Sequence, residues 1–261
     1  MVSEPISWKS DYLKISGEIY LPEKGKRPPP GLIICHGIPA KNKGPDDRGY
    51  PLLAEQFCRE GFLVLIFNFR GAGISEGDFD LRGWAQDLEG ALNYLALHPD
   101  ADPKRIYLLG FSGGAAVSIY VAARRKEVRG LVSCASPADF HDLIVGQGLI
   151  DFLAYAREVG IIRDPLFPPS LSEWRRSFET VQPINWIKQI PPRPLLLIHG
   201  TADEVVEVRH AHLLCEEVRG QAECYLIEKA GHRLRLDEQA MKKARDWLRK
   251  EAFRKADSAI R

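Results

Sequence analysis

Six short, near-continuous apolar runs, set apart by longer amphipathic segments, constrain this chain more than any other feature. The runs are GLIICH (31–36), FLVLIFNF (62–69), RIYLLGF (105–111), VRGLVSCAS (128–136), PLLLIHG (194–200) and AECYLIE (222–228). Each has the length of a strand, and runs without polar alternation suit strands covered on both faces. Helix-length segments lie between and after them, at residues 50–61, 83–98, 113–126, 208–220 and 237–255. In the second of these, Trp84, Leu88, Leu92 and Leu95 recur at the spacing of one helix face. Strands alternating with helices predict an α/β chain whose mostly parallel, doubly wound sheet carries helices on both faces.

One interval breaks the rhythm. Residues 138–192 contain no strand-like run but hold Phe140, Phe152, Tyr155, Phe167, Trp174, Phe178 and Trp186. A structureless loop of that length is unusual in a compact domain, so a small helical insertion, or lid, is expected there. Its aromatic residues could line an apolar pocket; residue by residue, a small core holding the insertion together is the expected role. The 261 residues, 45% of them apolar, suffice for one large core, and a single domain over 1–261 is expected.

Charge narrows the partners. Lys plus Arg number 36 against 35 for Asp plus Glu, which gives no general attraction to nucleic acid or to an anionic membrane. The opening MVSEPISWKS lacks the pattern of a signal peptide, and no apolar run approaches the roughly 18 residues a bilayer demands, so a soluble, cytoplasmic protein is expected. Cys35, Cys58, Cys134, Cys215 and Cys224 are scattered without C-x-x-C spacing, which argues against a disulfide framework or zinc site and reads as buried or reduced thiols.

The chemistry concentrates in LLGFSGGAAV, residues 108–117, where a strand-like run passes through a turn with one serine among three glycines into an alanine-rich helix. Glycine serves where the backbone must adopt a shape that disfavours a Cβ, or where two elements approach closely. Gly110, Ser112 and Gly114 occupy the fixed places of the G-x-S-x-G nucleophile elbow. A serine there stands above the sheet edge, and the helix starting at Gly113 offers backbone N–H groups to a developing oxyanion.

A serine hydroxyl needs an adjacent base, itself oriented by a third group. Asp203, in TADEVV after the fifth run, and His232, in KAGHRLR after the sixth, supply them in the chain order this elbow predicts. Asp139 and Glu204 remain rivals for the acid, and His141 for the base. His36 and His199, each before a glycine at a strand end, are expected to orient loops or bond the backbone. By position, the backbone N–H of Ile38, in IICHGIPAK, pairs with that of Gly113 as a second oxyanion donor. The glycines of RGAGISEG do not match dinucleotide spacing, and Arg70 is expected to brace loops.

These stretches together, HGI (36–38), RGAGISEG (70–77), GFSGG (110–114), HGTAD (199–203) and GH (231–232), resemble the α/β-hydrolase superfamily, in its serine esterase and serine-peptidase branch. The layout is similar to that of dienelactone hydrolases, but the nucleophile position holds serine where those enzymes have cysteine. The resemblance implies Ser112 as nucleophile, His232 as general base and Asp203 as its orienting carboxylate, working through an acyl-enzyme with no metal or organic cofactor. It also implies that DYLKISGEIYLP (11–22) forms an opening strand. There is no HGGG stretch, so the oxyanion loop is of the single-glycine type, which disfavours bulky tertiary-alcohol esters. The functional expectation is a serine carboxylesterase acting on small or medium acyl or aryl esters. A peptidase, a thioesterase, a cofactor-free C–C hydrolase or acyltransferase, and a non-catalytic ligand-binding member of the fold remain open.

Overall fold

The structure, a computed structural model, describes residues 1–40 and 49–254. Its eight strands are β1 (Val2–Ser10), β2 (Leu13–Leu21), β3 (Pro30–Cys35), β4 (Leu63–Asn68), β5 (Asp102–Phe111), β6 (Val128–Cys134), β7 (Leu195–Gly200) and β8 (Glu223–Ile227). They form one sheet in the order β1-β2-β4-β3-β5-β6-β7-β8. β1 pairs antiparallel with β2 and β2 antiparallel with β4; every other pairing is parallel. All six apolar runs become strands, and the doubly wound α/β architecture follows from their burial. β3 and β7 are buried at every residue, as strands covered on both faces must be.

The sheet sorts alternate residues to opposite faces. Ile33, Leu65 and Leu108 pack with Trp84, Leu88 and Leu92 of α2 (Leu81–Leu97) and with Val117 and Val121 of α3 (Gly113–Arg124). Leu32, Ile34, Val64 and Leu109 face the other way, against Leu53 and Phe57 of α1 (Gly49–Arg59) and Trp247 and Leu248 of α8 (Glu238–Phe253).

Between β6 and β7 run α4 (His141–Ile144), α5 (Gly148–Glu158), α6 (Leu171–Val181) and two short 3-10 turns, in place of a strand. The aromatic residues here join the core on the α2 face of the sheet through Phe79, which also meets Trp84 edge-on at 4.9 Å. Phe152 stacks on Trp174 at 5.9 Å between ring centres, and Trp174 Nε1 donates to the Phe79 carbonyl at 3.0 Å. Trp174 and Phe178 are almost fully buried, so they are structural groups and not pocket walls. Arg163 then ties the segment down by donating to the carbonyls of Gly71, Gly73 and Ser75.

The cysteine reading needs one correction. Cys215 of α7 (Arg209–Glu217) and Cys224 of β8 are disulfide-bonded with their Cα atoms 6.3 Å apart. The helix and the edge strand meet only in the folded chain, so spacing alone does not reveal the pair. Cys35, Cys58 and Cys134 are free and buried. Among the described residues no helix is long and apolar enough to cross a membrane.

Candidate active site

Ser112 occupies the turn between β5 and α3 with φ 52° and ψ −122°. A side chain in such a conformation costs about 1–3 kcal/mol and persists only where its surroundings enforce it. Here its N–H donates to the Cys134 carbonyl at 2.9 Å, and its own carbonyl accepts from the N–H groups of Ala115 and Ala116 at 2.9 and 3.0 Å. The flanking glycines leave no alternative. A Cβ at Gly110 would lie 2.6 Å from Ala115 Cα, and one at Gly114 would lie 2.2 Å from the His36 carbonyl oxygen. Helix α3 is thereby pressed against the end of β3, and the serine is pushed out between them.

His232 lies in the loop after β8, with Nε2 3.0 Å from Ser112 Oγ and Nδ1 2.8 Å from Asp203 Oδ2. Asp203 lies in the turn after β7 and accepts on Oδ1 from the N–H groups of Val205 and Val206 at 2.9 and 2.8 Å. Its side chain is fully buried, whereas that of His232 keeps 20% exposure toward solvent. Burial alone would push the Asp203 carboxyl above the usual carboxylate range, because it disfavours the charged form. Donation from His199, His232 and Val206 outweighs that effect and holds the group well below the usual carboxylate range. An ionised carboxylate only accepts, so the His232 proton resides on Nδ1 and the Nε2 lone pair faces the serine hydroxyl.

The rivals fall elsewhere. Asp139 Oδ1 accepts from the His141 N–H, and its Oδ2 is 3.9 Å from His210 Nδ1, which itself accepts from Ala138 N–H. Glu204 is exposed. The structure therefore brings Ser112, His232 and Asp203 together, and brings neither Asp139 nor Glu204 to that histidine. His199 does more than bond backbone. Its Nε2 donates to the Val206 carbonyl at 2.8 Å and lies 3.4 Å from Asp203 Oδ2, an approach set by the turn from 201 to 206 and not visible in spacing.

Ile38 and Gly113 are neighbours across the site, since a Cβ at Gly113 would be 3.5 Å from Ile38 Cγ1, an ordinary contact. Gly113 N–H belongs to the first turn of α3, whose donors have no partner within the helix. Gly37 lies close as well, because a Cβ there would be 2.9 Å from that of Ser112. His36 packs edge-on against Phe69 and Trp84. Arg70 braces loops: it donates to Asp87, Ser10 and Asp11. Burial works against its charge, but the carboxylates of Asp87 and Asp11 raise its proton affinity above the ordinary arginine value.

A groove of about 580 Å³ opens beside the segment between β6 and β7, lined among others by Asp139, His141, Asp142, Arg175, Glu179 and Arg209. None of Ser112, Asp203 or His232 lines it, and four of its charges pair with one another, Arg209 with Asp142 and Arg175 with Glu179. Among the described residues no group of three or more His, Cys, Asp or Glu side chains is placed to hold a metal ion.

Comparison with known proteins places this geometry in a family. The BD-FAE family model matches residues 18–218, a span that includes Ser112 and Asp203 and stops short of His232. The uncharacterised protein YfhR of Escherichia coli (strain K12) is 27% identical over 207 residues, covering 77% of this chain and 62% of that protein. The uncharacterised peptidase YtmA of Bacillus subtilis (strain 168) is 29% identical over 166 residues, 63% of this chain and 61% of its own length. The matches thus span about 60% of these relatives. Among solved structures, the α/β hydrolase GrgF from Penicillium sp. sh18 superposes with a TM-score of 0.74 at 20% identity, over 97% of this chain and 99% of that one. With the family model matching well over half its length, the chain belongs to the BD-FAE family and has the α/β-hydrolase fold.

Proposed function

We propose that this chain is a serine hydrolase that cleaves small or medium carboxylic esters through an acyl-enzyme. The observation that carries the reading is the continuous hydrogen-bonded line from Ser112 Oγ through His232 to Asp203, at 3.0 and 2.8 Å. In this reading His232 Nε2 takes the serine proton as Oγ attacks the ester carbonyl carbon. The carbonyl oxygen becomes an oxyanion beside the N–H groups of Ile38 and Gly113. Collapse of the tetrahedral intermediate expels the alkoxide, which leaves as the alcohol with the proton from His232. Water then repeats the sequence on the acyl-serine, releasing the acid and restoring the serine hydroxyl. Asp203 remains a carboxylate throughout, holding the imidazole in the required tautomer and favouring the transient imidazolium.

Hydrolysis of p-nitrophenyl esters from acetate to palmitate, with Ser112→Ala beside the wild type, tests the proposal. The expected result is turnover with a chain-length optimum that falls by at least about three orders of magnitude in the folded variant. Turnover near the wild-type value in Ser112→Ala would sink it. The name of the Bacillus relative favours one second reading, a peptidase using the same three residues. Serine-dependent cleavage of peptide p-nitroanilides, with the esters untouched, would establish that reading instead.

A further inference from the structure

Among the described residues, two contacts hold the backbone that follows β3. The first is local: His36 Nδ1–H donates to the Gly37 carbonyl at 2.7 Å while its Nε2 accepts from Phe69 N–H at 3.1 Å. The Phe69 N–H can only donate, which assigns the ring hydrogen to Nδ1. The Gly37 carbonyl and the Ile38 N–H belong to one planar peptide, in which they point in opposite directions. A donor held on that carbonyl therefore sets where the Ile38 N–H points, and it polarises that N–H.

The second comes from far along the chain. Tyr155, on α5, donates its hydroxyl to the Pro39 carbonyl at 3.1 Å across 116 residues of sequence. Pro39 has no N–H through which the loop could otherwise be anchored at that residue. The tyrosine is half-buried, and its ring neighbours Phe152, which stacks on Trp174 within the aromatic cluster of residues 138–192. The aromatic cluster is thus connected, through this hydroxyl, to a peptide two units beyond the one that carries the oxyanion donor, with the Pro39 ring stiffening the link between them. Resting on the serine-hydrolase reading above, we propose that Tyr155 is a positioning residue of the oxyanion loop. Its hydroxyl, held by the segment between β6 and β7, keeps the Ile38 N–H aimed at the developing oxyanion. Tyr155 exchanges no proton with substrate; it acts through the backbone.

The test compares wild type, Tyr155→Phe and, as a control at a side chain 96% exposed, Tyr12→Phe. Loss of one hydrogen bond to the loop is expected to lower kcat roughly 3- to 10-fold in Tyr155→Phe. KM and the urea unfolding midpoint are expected to stay close to wild type. Affinity for a trifluoromethyl ketone, whose adduct carries an oxyanion, is expected to fall by the same factor as kcat/KM. A folded Tyr155→Phe with wild-type kcat, or with loss confined to KM or to stability, overturns the inference. Pro39→Gly loosens the same carbonyl without touching α5. Its effect on kcat is expected to be less than multiplicative with that of Tyr155→Phe, and fully independent effects would also overturn the inference. A fluorophosphonate probe separates the two levels. An unlabelled Ser112 in the wild type would sink the serine-hydrolase reading and this inference with it. Labelled wild type beside an unimpaired Tyr155→Phe would sink this inference alone.

Discussion

Gly114→Ala isolates the geometry that pushes Ser112 out of the fold. The added methyl would lie 2.2 Å from the His36 carbonyl oxygen and 2.7 Å from that of Cys35. Ordinary carbon-to-oxygen contacts begin at roughly 3.3 Å, so the tighter of the two falls short by about 1 Å. Both obstacles are main chain, at the last residue of β3 and the one after it, and no rotamer change relieves them. Helix α3 must therefore retreat from β3 by something near that distance at its first turn. The retreat carries the Ser112 hydroxyl away from His232 Nε2, now at 3.0 Å, and separates the N–H groups of Gly113 and Ile38. A misplacement of about 1 Å at a reacting centre costs on the order of 100-fold in rate. Stability should suffer less, because an overpacking cost of about 1–3 kcal/mol is partly offset by the roughly 1 kcal/mol that alanine gains over glycine inside a helix. Steady-state kinetics on a p-nitrophenyl ester beside urea unfolding would read both quantities. A kcat within about threefold of wild type would refute the reasoning, since that small a change leaves no room for a 100-fold displacement effect. Gly113→Ala is the companion: its methyl would meet Ile38 at 3.5 Å, so that variant is expected to keep wild-type stability.

Two more outcomes follow from the charges and thiols. Asp203→Asn should lower kcat by on the order of 10⁴, because an amide cannot hold the same imidazole tautomer. The carboxyl is more acidic folded than unfolded, so its stabilising contribution is fully present above the unfolded value of about 3.9 and is lost as pH falls through the lower folded one. Urea midpoints of the wild type should therefore drop toward those of the asparagine variant between about pH 5 and pH 2, and parallel curves would contradict the assignment. Burial pushes the Cys35 thiol up to about 12 and the Cys58 thiol to about 11, and raises that of Cys134 as well. Iodoacetamide at pH 8 should modify none of the three in the folded protein and leave ester hydrolysis intact; after unfolding, three thiols should react without a reductant and five with one. Native-state modification, or five thiols without reduction, would count against the arrangement described.

What can be read before folding is whatever local burial imposes on each segment separately. β3 and β7 are covered on both faces, so their residues had to be apolar without interruption, and the runs at 31–36 and 194–200 declare them. The elbow is legible for a related reason: two of its positions tolerate no Cβ against a neighbouring backbone, and that restriction writes glycine into Gly110 and Gly114. β1 escapes because it is an edge strand, exposed at most positions and carrying Pro5, so neither continuity nor clean alternation marks it. Contacts set by the folded geometry escape for a different reason. The hydroxyl of Tyr155 on the Pro39 carbonyl and the joining of Cys215 to Cys224 depend on two elements meeting in space, and the approach of His199 to Asp203 depends on the shape of the turn after β7. None of these pairs places a restriction on the residues beside it that a pattern could reveal. Ser112, Asp203 and His232 stand between the two cases. Each lies just beyond the carboxyl end of a strand that its own apolar run defines, so their convergence follows from sheet order once the strands are parallel. The contacts that tune the three, by contrast, depend on the shape of the turn after β7 and on where the folded chain places α5. Substitutions at His199 and Tyr155 therefore probe the part of the site that sequence pattern leaves unspecified.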